Sequence, residues 1–174
     1  MATKVLSNEF MQNIATSEAW KELSGNFSWS ETTLEKYQDK VDWDEIVTNR
    51  DIRWTLPMIQ KFQKKINWSR FSEYADENVL TEPIIEAFKE RWNWHELSGN
   101  SCLPLTLELL EKYADKWDWE RIIDSYGHDI YDKNAIEFYE KFKDYIPVFK
   151  LQNTCLWRAI IDQRSKQLAA EICM

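Results

Sequence analysis

His95 and His128 are the only imidazoles in this chain of 174 residues. Acid–base or metal chemistry built on imidazole would have to use one of them. His128 sits in Gly127-His128-Asp129, inside a polar stretch from Asp124 to Asp132 that interrupts an otherwise regular pattern. Breaks in regular structure are where binding groups gather. No second ligand stands at metal spacing from it, so His128 and Asp129 are candidate interaction residues, and an enzyme using His128 with neighbouring carboxylates is the lesser reading. His95 follows Trp94 in a slot filled elsewhere by Lys21, Asp44, Ser69 and Glu120. A slot that accepts all of these predicts a solvated surface position. The pairs Asp42/Asp44 and Asp115/Asp118 have the residue types of an acid–base dyad, but helix capping accounts for Asp42 and Asp118. With only 3 glycines and no phosphate-loop or nucleophile-elbow motif, the chain is expected to be non-catalytic and to carry no cofactor.

The other chemistry in the sequence is electrostatic. Arg50, Arg53, Lys61, Lys64, Lys65 and Arg70 crowd one segment against Asp51 alone, with Trp54 among them. A basic stripe with an aromatic suits phosphates and a stacked base. The simpler reading is a solvated helix face, with Trp54 filling a corner position that Trp29, Leu80 and Leu105 fill elsewhere. Net charge is −8 and the pI about 4.9, an acidic balance that disfavours non-specific nucleic-acid binding.

The elements that must position these groups repeat. Four blocks run Ser/Thr, then Leu/Ile four residues on, Tyr/Phe at seven, Val/Ile/Trp at eleven, Asp/Asn at twelve and Trp at thirteen. They are Ser30–Trp43, Thr55–Trp68, Thr81–Trp94 and Thr106–Trp119. Counting Trp20, the tryptophans lie 23, 25, 26 and 25 residues apart. Such a period is the mark of a repeat architecture. Each block predicts a helix capped by its Ser or Thr, with Pro57 and Pro83 in the first turn, and an apolar stripe at four, seven and eleven. A shorter helix follows, capped by Asp42, Asn67, Asn93 or Asp118. Glu45 and Glu96 stand where a capping box needs them. The Trp is expected to point inward with an apolar partner three residues on. The fold is therefore expected to be all-α, a short α-solenoid of repeats of roughly 25 residues. Residues 1–174 form one repeat domain on this reading: 1–19 a degenerate N-terminal repeat, 20–126 the core repeats, and 127–174 a divergent repeat with a closing helix around 154–171.

The stretches Trp94-His-Glu-Leu-Ser-Gly-Asn100 and Glu111-Lys-Tyr-Ala-Asp-Lys-Trp-Asp-Trp119 resemble a tandem Trp-rich helical repeat, W-x-x-L-S-x-N…E-K-Y-x-D-K-W-D-W, of bacteria, their phages and large DNA viruses. The similarity covers roughly residues 20–126. It brings no catalytic residues and implies an interaction surface. That background would suit an inhibitor of a defence enzyme, of anti-CRISPR type. The expected partner is thus another protein with a basic patch, such as a nuclease or nucleoprotein effector. The alternative is RNA or DNA bound through residues 50–70. Three scattered cysteines without a CxxC, no apolar leader and no spanning-length apolar run predict an intracellular, cytoplasmic chain with no membrane contact.

Overall fold

The computed structural model describes residues 8–124, 130–131 and 134–173. All regular elements among them are α-helical, with no strand. The chain groups into two compact units, Met1–Val79 and Leu80–Met174, and each is taken by itself. The first holds α1 (Glu9–Asn26), α2 (Glu31–Tyr37), α3 (Trp43–Ile46), α4 (Leu56–Phe62) and α5 (Trp68–Tyr74). The second holds α6 (Glu82–Ala87), α7 (Trp94–Ser98), α8 (Leu107–Lys112), α9 (Trp119–Ile123), α10 (Ala135–Phe142), α11 (Val148–Leu151) and α12 (Cys155–Ile172).

Local capping sets the starts of these helices. The side chains of Ser30, Thr55 and Thr106 accept the backbone N–H three residues on, and Asp42, Asn67, Asn93 and Asp118 cap the short helices in the same way. Thr81 holds the cap position of α6 without a side-chain bond. The helices are shorter than the apolar stripe predicts. After the aromatic at seven the backbone tightens: in the first block the N–H groups of Lys40 and Val41 both reach Tyr37 O, at 2.8 and 3.2 Å. The residue at eleven is buried all the same (Val41, Ile66, Trp92, Trp117), but it sits on a turn past the helix end.

The innermost layer is aliphatic. Leu34 and Ile59 in the first unit and Ile85 and Leu110 in the second have no exposed surface. The same holds for Ile46 and Phe71, and for Leu97 and Ile122, three residues after each Trp. Full burial of one such side chain is worth about 1.5–3 kcal/mol. The indoles lie further out than expected: Trp43, Trp68 and Trp94 are half-buried and only Trp119 is fully enclosed. A hydrogen bond fixes all four rings, the enclosed Trp119 included. Each indole N–H donates to a carbonyl five residues back: Trp43 to Gln38 (2.9 Å), Trp68 to Gln63 (3.0 Å), Trp94 to Lys89 (2.9 Å) and Trp119 to Ala114 (2.8 Å). Carbonyls at a helix C-terminus lack an intrahelical donor, and the indole supplies one. The ring then packs on the aromatic at seven in the next block: Trp20 on Tyr37, Trp43 on Phe62, Trp94 on Tyr113 and Trp119 on Phe142, with centroids 4.9–5.5 Å apart. Trp43, Trp94 and Trp119 are each both a latch at the corner and a contact between repeats.

A buried serine makes the second clasp. Ser24, Ser72 and Ser98 are fully buried, and each hydroxyl donates to the carbonyl of the Trp four residues earlier at 2.6 Å. Ser24 and Ser98 also accept the backbone N–H of the next repeat's cap, Asp42 and Asp118, both at 2.9 Å. This displaces the capping box expected at Glu45, because the Asp42 N–H is already taken. Glu96 turns instead to Arg121.

The two ends differ from expectation in different ways. α1 is one helix of 18 residues running straight through Trp20, not a worn repeat followed by a new one. The slot before Trp20 holds Ala19, and without an Asp or Asn to cap a fresh start the helix continues. α12 is the expected closing helix; it starts at a Thr154 cap, buries Leu156 fully, and meets α10 through Gln163, whose Oε1 accepts the Ile136 N–H at 3.1 Å. From residue 164 onward it is wholly exposed.

Candidate interaction surface

The basic segment does not form one stripe. Lys61, on α4, bridges Glu31 (3.0 Å) and Glu35 (2.7 Å) of the preceding repeat, and Lys65 meets Asp39. The two carboxylates, Glu35 foremost, push the Lys61 ammonium above its ordinary range. Lys64 is exposed and makes no ion pair among the described residues. Arg70 turns back onto Asp44 O (3.3 Å) and lies over the Tyr74 ring. Arg50 and Arg53 are exposed at the mouth of a recess of about 380 Å³, lined also by Ile52, Trp54, Asp76 and Asn78. Asp76 brings a carboxylate into that recess, with Oδ1 accepting the N–H groups of Asn78 and Val79. Trp54 is only 8% exposed and packs on Phe71, so it offers no face to a base. Of the expected cationic groups, three remain open: Arg50, Arg53 and Lys64. His128 and Asp129 lie outside the described residues.

The pairing at Lys61 belongs to a ladder that the sequence reading missed. In the second unit Lys112 bridges Glu82 (2.9 Å) and Glu86 (3.1 Å), Lys116 meets Glu90, Lys141 meets Glu111 and Lys150 meets Glu120. Each pair spans 26 or 30 residues. The signal was present: Glu31, Glu35 and Asp39 stand four apart, as do Lys61 and Lys65, so one helix face matches its neighbour one repeat on. At Glu86 the ladder is densest. Lys89, Tyr113 Oη and Lys112 all donate to it and hold its carboxyl down to about 2. Burial, and then the hydrogen bond to Glu86, push the Tyr113 phenol up to about 12.

In the acid pairs with dyad chemistry, Asp42 and Asp118 are caps, as expected. Asp42 Oδ1 accepts the N–H groups of Asp44 and Glu45, and Asp118 Oδ1 those of Glu120 and Arg121. His95 is exposed as expected, yet its Nδ1 lies 2.5 Å from Asp118 Oδ2, a contact its slot did not announce. Carboxylates in no ion pair among the described residues gather elsewhere: Glu18, Glu22 and Glu45 line an open recess of about 310 Å³ with Lys21, Gly25 and Asn26.

No family model, curated protein or solved structure matches the chain. Among the described residues no group of three or more His, Cys, Asp or Glu side chains is placed to hold a metal ion. No described helix is long and apolar enough to cross a membrane. Cys102, Cys155 and Cys173 form no disulfide with one another.

Proposed function

We propose that the chain is a non-catalytic interaction module of stacked Trp-latched repeats that binds another protein through its acidic surface. The observation that carries this reading is the lysine ladder. Cations on the long helices are neutralised from within, by carboxylates one repeat back. What faces outward is the surplus of carboxylates, including Glu18, Glu22 and Glu45. An acidic field of this kind attracts and orients a basic partner surface. One concrete form is an intracellular inhibitor or decoy of a nucleic-acid-handling defence enzyme, its carboxylates standing where phosphates would. Direct RNA or DNA binding retains only Arg50, Arg53 and Lys64 of the expected stripe, and is the second reading.

Affinity capture from a lysate treated with nuclease, followed by binding measurements on the captured protein, tests this. The expected result is a protein whose binding weakens with salt and with Glu18→Gln/Glu22→Gln/Glu45→Gln, and is unchanged by Arg50→Gln/Arg53→Gln/Lys64→Gln. The opposite pattern, with a gel shift on single-stranded nucleic acid abolished by the cationic variants, would establish the second reading instead.

A further inference from the structure

The lysine ladder starts one rung early. In the blocks of α4 and α8 two lysines stand seven and three residues before the closing Trp: Lys61 and Lys65 before Trp68, Lys112 and Lys116 before Trp119. They hold carboxylates that stand twelve, eight and four residues before the preceding Trp. These are Glu31, Glu35 and Asp39 before Trp43, and Glu82, Glu86 and Glu90 before Trp94. The block of α2 carries the same two lysines, Lys36 and Lys40, before Trp43. The matching slots before Trp20 hold Asn8, Gln12 and Thr16, and the only acid in residues 1–17 is Glu9. Lys36 and Lys40 are exposed and in no ion pair among the described residues.

Both are nevertheless seated as their paired counterparts are. Lys36 Nζ lies 5.1 Å from the centre of the Tyr37 ring, as Lys112 Nζ lies 5.4 Å from that of Tyr113 and Lys61 Nζ 5.9 Å from that of Phe62. Lys40 Nζ lies 5.5 Å from the Trp20 ring, as Lys116 Nζ lies 5.8 Å from that of Trp94. The ring faces attract the ammonium groups, so two flexible side chains are restrained with no carboxylate present. In front of Lys40 the surface opens into a recess of about 430 Å³, lined also by Asn13, Thr16, Ser17, Trp20 and Lys21 of α1. Asp42 is the one acid lining it, and its Oδ1 already accepts the N–H groups of Asp44 and Glu45. Glu18 and Glu22 of α1 line a different recess.

We infer that this face takes an acidic helix of a partner protein, whose carboxylates four residues apart seat on Lys36 and Lys40 as Glu82, Glu86 and Glu90 seat on Lys112 and Lys116. The chain itself shows what this pair of lysines holds wherever a carboxylate face is supplied. Carboxylates four apart lie on one face of a helix, at the same spacing as the two lysines. The inference goes beyond the acidic-surface reading, since it uses the opposite charge. Exposed ion pairs contribute little each and are screened by salt, so binding is weak and ionic-strength dependent.

The test uses the full chain and a labelled alanine-based helical peptide with three glutamates four residues apart, followed by fluorescence anisotropy. A second peptide of the same composition has its glutamates two residues apart. The first should bind, with affinity falling as salt rises, and the second should bind more weakly. Lys36→Gln/Lys40→Gln should weaken the first by roughly tenfold, while Lys64→Gln should leave it unchanged; circular dichroism checks that both variants fold. Thr16→Glu, which puts a carboxylate into the vacant slot beside Lys40, should weaken the peptide and raise the melting temperature, and Thr16→Gln should do neither. No binding, equal binding of the two peptides, or an affinity indifferent to Lys36→Gln/Lys40→Gln overturns the inference. So does a short single-stranded DNA that displaces the peptide better than unlabelled peptide does, which would give the lysines to phosphates. Self-association of the chain that is lost in Lys36→Gln/Lys40→Gln would give the face to a second copy and overturn it as well.

Discussion

The junction of α1 with α3 and the junction of α7 with α9 are built to one plan and differ in the charges laid over it. In both, a buried serine (Ser24, Ser98) accepts the N–H of the next cap (Asp42, Asp118) at 2.9 Å. In both, a glycine follows the serine, and a fully buried isoleucine (Ile46, Ile122) seals the far side. Two residues after the Trp of the later repeat, one junction has Arg121 and the other Glu45. Arg121 Nη1 reaches Glu96 (2.9 Å) and His95 O (3.0 Å) across Gly99. Glu45 lies over Gly25 in the equivalent place, but faces Glu22 and Glu18 and leaves the recess open. The backbone differs to match. α7 stops at Ser98 and frees the His95 carbonyl for Arg121, while α1 continues to Asn26. The lesson is that neutral atoms hold the framework in place, and the charge laid over it is free to change sign.

That separation can be broken by substitution. Ile46→Ala and Ile122→Ala should each cost about 2–5 kcal/mol in denaturant unfolding; a mild effect at only one would show that the junctions differ in their cores as well. Ser24→Ala and Ser98→Ala each strand a cap N–H, at about 1–3 kcal/mol, and should again be alike. The glycines should part company. A Cβ on Gly25 meets Glu45 at 3.4 Å, ordinary contact, so Gly25→Ala inside α1 should gain about 0.5–1 kcal/mol. A Cβ on Gly99 lies 2.7 Å from Arg121 Nη1 and displaces it, so Gly99→Ala should lower the melting temperature. Equal signs would refute the contrast. Arg121→Glu should lose, and Glu45→Arg gain, at most about 1 kcal/mol, both differences shrinking in salt.

The same comparison extends to pH. Glu86 has Lys89, Lys112 and Tyr113 about it, whereas Glu35, its counterpart, has Lys61 and a phenylalanine, Phe62, in the tyrosine position. Because the folded carboxyl of Glu86 sits near 2, below its ordinary value of 4.5, the stabilisation is complete above that value and is lost as pH falls towards 2. The melting-temperature gap between wild type and Glu86→Gln should therefore be widest near neutral pH and close on acidification. A gap that is flat with pH would dismiss the cluster, and Glu35→Gln should open a smaller one.

What was legible in the sequence was local. A cap needs only its own side chain and an N–H two or three residues on, so Ser30, Asp42, Asn93 and Asp118 could be read directly. Ala19, standing where a cap belongs, already announced the merger of two helices into α1. The buried serines could not be read this way, since Ser24 owes its role to a backbone N–H 18 residues away. The basic segment looked continuous because a lysine's partner one repeat back is invisible without stacking register. Half of the lysines and arginines that suggested a phosphate surface belong to the scaffold.

Because each of these four indoles finds its acceptor five residues upstream, its corner can close before its neighbours exist. Most ordering steps then involve short loops, whose closure entropy is small, and low sequence separation favours rapid folding. A block inserted or removed at its period would leave all remaining corners intact, so lineages of such chains can change length by whole blocks without relearning how to fold.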